Sequence, residues 1–194
     1  MKLKEIRISE SPYLNDDELG YQVLAKISSD ALKRSYTHLV KAKDIDIFAG
    51  TDTGFIAGLL TKKGLSTVVM ITCRVVAYPT EPSGLANYQQ VSMVNTSKEF
   101  ADKGRAKLVY TEIAKKVDLV SDHEQYLGAK GLWKSLARES DVNVYVFDGR
   151  TKDYIRDEDG TIKRYNGNNL QDSAIWGNTM DHKLVLLVAT AKKF

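Results

Sequence analysis

The sequence predicts an α/β fold in one domain over residues 1–194: a mixed, mostly antiparallel sheet with helices, and a hairpin inserted between the last two strands at about residues 150–182. Three observations predict it. From Ile45 to Tyr78, short apolar runs rich in β-branched residues are separated by the tight glycine turns T-D-T-G and K-K-G, the signature of sequential antiparallel strands. From Val91 to Val117, an apolar run ending at Val94 is followed by a polar loop ending at Gly104 and then by a helical pattern. Before the last strand, about 35 polar residues exceed what a structureless loop in a compact domain accommodates. They contain their own hairpin, D-Y-I-R and T-I-K-R-Y around the turn D-E-D-G, which should project as a decoration.

Taken in order, Lys2 to Ile8 places Ile6 and Ile8 on one face of a short first strand. Asn15 can cap a helix that Asp17 and Glu18 favour electrostatically, with Gly20 against it. Ser29 can cap a helix through A-L-K-R-S-Y-T-H-L-V-K, with Leu32, Tyr36, Leu39 and Val40 on one face. His38 lies off that stripe, with no Cys or other His at metal-ligand spacing, so it reads as a surface or boundary histidine. Ile45–Ala49 and F-I-A-G-L-L form a tight strand pair, and Leu65 to Tyr78 is the longest strand. P-T-E-P-S-G holds two of the three prolines and must be a loop, after which A-N-Y-Q-Q-V-S-M-V returns antiparallel to the long strand.

In the helix after Gly104, Ala106, Tyr110, Ile113 and Val117 share a buried face, while Arg105, Lys107, Glu112 and Lys115 fall largely on the solvated side. Gly104 stands at the turn into that helix, where backbone N–H groups can approach a ligand and first-turn amides have no partner within the helix. Such a corner attracts phosphate. V-D-L-V is a short strand, and Ser121 with Glu124 forms a capping box for a helix carrying Tyr126, Ala129, Trp133, Leu136 and Ala137 on one side. Gly128 and Gly131 each cost that helix roughly 1 kcal/mol relative to Ala, which predicts close approach by another group. V-N-V-Y-V-F alternates Val142, Val144 and Val146 against Tyr145 and Phe147, and Lys183 to Ala189 suits an interior strand.

Composition narrows the classes of function. With 43% hydrophobic and 27% charged residues, the chain is an ordinary globular one. Its net charge of +3 is spread over scattered Lys and Arg, which does not favour nucleic-acid binding. Cys73 is the only cysteine and reads as a small apolar strand residue, so the expectation is a reducing cytoplasm. No apolar run approaches the ~18 residues of a membrane span, and M-K-L-K-E-I-R-I lacks the uninterrupted apolar core of a signal peptide. No Ser/His/Asp order, Cys/His pair, phosphate-cradling Walker loop or zinc spacing is present, so no metal site is expected.

The loop A-D-K-G-R-A and the later helical segment A-K-G-L-W, in that order and separation, resemble the diagnostic segments of the GNAT superfamily of N-acetyltransferases. There a strand leads through R/Q-x-x-G-x-G/A into a helix, followed by a short strand and a second helix carrying A-x-x-L-Y. Gly104 and Ala106 match, while Ala101 stands where Arg or Gln is usual; Ala129 and Leu132 match, while Trp133 replaces the tyrosine. The order of elements is similar from Ile45 to Ala189. The resemblance implies a GNAT-like twisted sheet with helices on both faces, and acetyl-CoA as the bound thioester. Its pantetheine amides would pair with the backbone of Met93, Val94 and Asn95, and its pyrophosphate would sit on the amides of Lys103, Gly104, Arg105, Ala106 and Lys107. An amine then attacks the thioester directly, with no metal. Indole cannot usefully protonate a thiolate, so Tyr126, two helical turns before Trp133, is the nearest substitute for the missing acid. Asp122, His123 and Glu124 stand at a strand end where bases of the family occur. The acceptor would be a small amine, a peptide terminus or a protein lysine. Short divergent members with such an insertion resemble those of bacteriophage genomes. The altered Ala101 and Trp133 therefore also suit a catalytically inactive GNAT-like binding protein that engages a host protein in the host cytoplasm. Oligomeric state has no legible signal.

Overall fold

The computed structural model describes residues 26–51, 54–76, 88–101, 103–123, 127–177 and 180–194. The expected strand at Lys2 to Ile8, the helix capped by Asn15, the proline loop, Glu124 and Tyr126 lie outside them. The fold is mixed α/β with a mostly antiparallel sheet, and its described residues divide between two compact units. One holds residues 26–75 and 91–112; the other holds residue 76 and residues 88–90 and 113–194.

The first unit opens with β1 (Lys26–Ser28), α1 (Ser29–Ser35), β2 (Tyr36–Ala42), β3 (Ile45–Gly50), β4 (Gly54–Thr61) and β5 (Gly64–Val76). The second part of β6 (Tyr88–Thr96) completes the strand order β6-β5-β4-β3-β2, and most of α2 (Arg105–Ala114) follows. Antiparallel registers such as Phe48↔Ile56 and Phe55↔Ile71 pair β3 with β4 and β4 with β5, the sequential antiparallel order that was expected. At 13 residues, β5 is the long strand expected from its β-branched content. Gly64 has φ +127°, and a β-carbon there would lie 2.0 Å from the Ile27 carbonyl oxygen, so glycine is what lets β1 pair against the start of β5. Leu32 of α1 packs with Phe48, Ile56 and Leu65 on one face of the strands. Ile45, Ile47, Ala57, Val68 and Val69 are also fully enclosed.

The helix expected to run on through Lys41 ends at Ser35, and Leu39 and Val40 lie on a strand instead. Its cap is Ser28, whose hydroxyl accepts from the Ala31 N–H at 3.3 Å; Ser29 instead donates its hydroxyl to the Lys62 carbonyl. The register of β2 on β3 shifts between His38 and Val40. That bulge gives Tyr36, Leu39 and Val40 the three- and four-residue spacing of a helix face within an extended strand.

The second unit contains β7 (Leu119–Val120), α3 (Leu127–Leu136), β8 (Asn143–Asp148), β9 (Asp153–Tyr154), β10 (Arg164–Tyr165), α4 (Asp172–Ile175), a 3₁₀ turn (Met180–Leu184) and β11 (Val185–Thr190). Its strand order is β10-β8-β11-β7-β6. Every residue of β11 is buried, as expected of an interior strand, and it pairs antiparallel with both β8 and β7. The β6–β7 pair is parallel, through Gln89↔Leu119 and Gln90↔Val120. Tyr88, Tyr145, Phe147 and Tyr154 pack with Leu186 and Val188 into an aromatic core. Phe147 meets Tyr154 edge-on at 5.3 Å, and Phe194 stacks on Tyr145 at 4.7 Å.

Three expectations change here. Ser121 does not open a helix: its hydroxyl accepts from the Leu187 N–H at 3.0 Å, its own N–H donates to the Leu187 carbonyl, and Asp122 and His123 after it are not helical. The hairpin is not a free decoration, because β9 and β10 both pair with β8 and bury Tyr154 and Tyr165. Its tip, around the turn closed by the Gly160 N–H on the Asp157 carbonyl, is exposed. Gly128 and Gly131 are exposed, and a β-carbon at either would meet nothing within 4 Å, so among the described residues no close neighbour accounts for them. No helix of the described residues is long and apolar enough to cross a membrane.

Candidate functional site

The candidate cofactor site lies wholly within the first unit, where β6 gives way to the loop before α2. The Ser97 N–H donates to the Val68 carbonyl at 2.8 Å, fastening the end of β6 beside β5. Of the three predicted strand residues, Met93 is 46% exposed, Val94 is half-buried and Asn95 is buried, its amide lying 3.2 Å from the Met93 sulfur. Met93 therefore presents its side chain on the surface of this corner.

A 3₁₀ turn at Lys98–Phe100 leads to Gly104, whose φ of +68° is the left-handed conformation that selects glycine. Among the described residues a β-carbon there would meet nothing within 4 Å, so conformation rather than crowding requires the residue. The Leu108 N–H donates to the Gly104 carbonyl at 3.0 Å, which starts the helical ladder. Arg105, Ala106 and Lys107 are then first-turn residues, whose amides have no acceptor within the helix. The positive end of the helix dipole coincides with them.

The loop cations are less available than the sequence suggests. Lys103 donates its ammonium to the Glu99 carbonyl at 2.7 Å and lies 5.6 Å above the Phe100 ring. Arg105 lies 5.8 Å over the same ring and holds Asp44 with both guanidinium NH₂ groups, NH2 to Oδ2 at 2.8 Å and NH1 to Oδ1. The Arg105 hydrogen bond keeps the Asp44 carboxyl below the usual carboxylate range, and Asp44 in turn pushes Arg105 up. Asp44 is a component that sequence reasoning missed. It lies 61 residues before Arg105, in the turn after β2, and no local pattern links the two. The Lys103 N–H donates to the Phe100 carbonyl at 3.4 Å, so an anion at Gly104 meets the start of a helix and a guanidinium already shared with a carboxylate.

The second unit carries the residues considered for acid and base. Trp133 is buried at 2% exposure in α3, a core side chain. At the carboxyl end of β7, the Asp122 carboxylate accepts from the His123 N–H at 2.8 Å. His123 Nδ1 lies 2.6 Å from the Lys183 carbonyl oxygen. A carbonyl only accepts, so Nδ1 carries the proton and Nε2 is the acceptor nitrogen of the neutral ring. Among the described residues no three His, Cys, Asp or Glu side chains converge as metal ligands. No protein-family model matches this chain, and no curated protein or solved structure matches it either.

Proposed function

We propose that the chain is a GNAT-like acyl-CoA-dependent N-acyltransferase that moves an acetyl group from acetyl-CoA to a primary amine. The observation that carries this reading is the end of β6. Its parallel ladder with β7 stops at Gln90↔Val120, while the strand continues to Thr96 and enters a left-handed glycine turn at the start of a helix. A strand extending past its parallel partner has backbone groups to offer a pantetheine chain, and the helix start suits a pyrophosphate. Met93, Val94 and Asn95 would take the first role, and the amides of Lys103 to Lys107 the second. The amine nitrogen bonds to the thioester carbonyl carbon as the C–S bond breaks. The amine's proton passes to a base, for which His123 Nε2 has the required tautomer, and Tyr126 returns a proton to the thiolate.

A second reading, a phage-encoded GNAT-like binding protein without turnover and directed at a host protein, is favoured by Trp133 in the core and by Arg105 held on Asp44. Thermal unfolding with acetyl-CoA separates the two. At about 100 times its dissociation constant the cofactor adds roughly 2.7 kcal/mol, so no shift at millimolar acetyl-CoA would leave only the binding protein. Gly104→Glu should abolish the shift by placing an anion at the phosphate corner, whereas Gly104→Asn, which tolerates positive φ, should keep it. Equal affinity in both variants would remove the assigned site.

A further inference from the structure

The second unit contains a cavity of about 310 Å³ where β8 finishes and β11 begins, the end of that sheet toward which β7 also runs. Its volume lies at the small end of the range for sites that take small organic molecules. Asp148 and Val185, opposed across the β8–β11 ladder, form its base, and Ser173, Ala174, Asp181 and His182 come from the segment that follows the hairpin. The pocket is therefore built largely by the residues inserted between the last two strands.

Its charge has a definite sign. Arg150 is clamped on Asp148, with Nε 2.9 Å from Oδ1 and NH2 2.6 Å from Oδ2, and its backbone N–H donates to the same carboxylate at 2.9 Å. Asp181 lines the same cavity, so two carboxylates face it beside one guanidinium, which leaves its charged side chains one negative charge in excess. His182 donates from Nε2 to the Ser173 carbonyl at 2.9 Å, and its ring lies where a β-carbon on Gly177 would be 2.4 Å away, so this wall requires glycine at 177. Ile155, Ala174 and Val185 make the remainder apolar. A carboxylate ligand would face Asp181; a neutral one would leave the excess charge unanswered.

We propose that this cavity binds a compact primary amine, with its ammonium group on Asp181 and its short apolar body against Ile155, Ala174 and Val185. This binding does not rest on the acyltransferase reading. The test is a titration of the ¹⁵N-labelled full chain with n-butylamine, without acetyl-CoA, alongside butyrate and 1-butanol. Saturable shifts of the Arg150, Ala174 and His182 amides are expected with the amine, and none of that size with butyrate or the alcohol. Asp181→Asn should weaken the amine's Kd at least tenfold. Ala174→Trp, at an exposed position, should fill the cavity and abolish the shifts. Butylamine shifts no larger than those of butyrate, or an Asp181→Asn variant that titrates like the parent, would overturn the proposal. Stabilisation by acetyl-CoA with no amine shifts would overturn the pocket alone. Amine shifts without acetyl-CoA stabilisation would support the pocket and remove acetyl transfer.

Discussion

Asp44 sets how much positive charge the Gly104 turn offers an anion. Its carboxylate occupies both arms of Arg105, so a phosphate there competes with it for the same donors. Asp44→Asn should therefore tighten acetyl-CoA binding about two- to fivefold, the scale of an exposed ion pair, while Arg105→Gln should weaken it. Calorimetric titration of the two variants checks this, and identical affinities would exclude Arg105 from contact with the cofactor. Cys73 allows a second prediction at this scale. Burial alone pushes its thiol up to about 12, so the folded protein should not react with a thiol reagent at pH 8 and should react fully in denaturant. Fast labelling of the native chain would contradict the burial. The two residues also differ in legibility. An apolar, β-branched neighbourhood marks Cys73 as a buried strand residue, whereas the partnership of Asp44 with Arg105 exists only once β2, β3 and α2 are in place.

At the scale of elements, the strands were legible wherever tight glycine turns and β-branched runs agreed, as in β3, β4, β5, β8 and β11. β11 is the clearest case, since both of its faces are covered. Leu187 is fully buried there, and Leu187→Ala should cost about 2–5 kcal/mol. Leu60→Ala, at a half-exposed position of β4, should stay within about 0.5 kcal/mol; denaturant melts of both variants give the comparison. The misread elements have local causes. In β2 the bulge at Leu39 breaks the two-residue period and leaves apolar spacings that also fit a helix. Ser121 followed by Glu124 has the letters of a capping box, but its hydroxyl is used by Leu187 on the neighbouring strand, a partner 66 residues away. The hairpin's turn was legible from D-E-D-G, while the attachment of both its arms to β8 depended on Tyr154 and Tyr165 finding burial there.

For the whole molecule, the charge pattern fixes the direction of its response to acid. Hydrogen bonds from Arg105, Arg150, Arg156 and Lys134 hold Asp44, Asp148, Asp153 and Asp172, respectively, below the usual carboxylate value. Between the unfolded value of about 3.9 and the lower folded values, the native state binds fewer protons than the unfolded chain. Their contribution is therefore fully present above that window and is lost as pH falls through it. Tm should hold from pH 7 to about 5 and decline toward pH 2, with a smaller loss in 1 M salt, where exposed pairs are already screened. A Tm that rises on acidification would contradict the assigned pairs. The candidate site was less legible than the fold: the backbone corner at Gly104 could be placed from local pattern, whereas the cavity beside Arg150 arises from residues that only the folded hairpin segment assembles.

The bulge of β2 has a consequence for behaviour in a crowded solution. Among the described residues β2 ends the strand order of its unit, so its outer backbone groups could recruit a strand from another molecule. The extra residue at Leu39 bends that border out of register, and the exposed Lys41 and Lys43 add like charge along it. A second chain laid against it would meet a kinked, positively charged ribbon, so the same irregularity that disguised the strand in the sequence opposes edge-to-edge polymerisation.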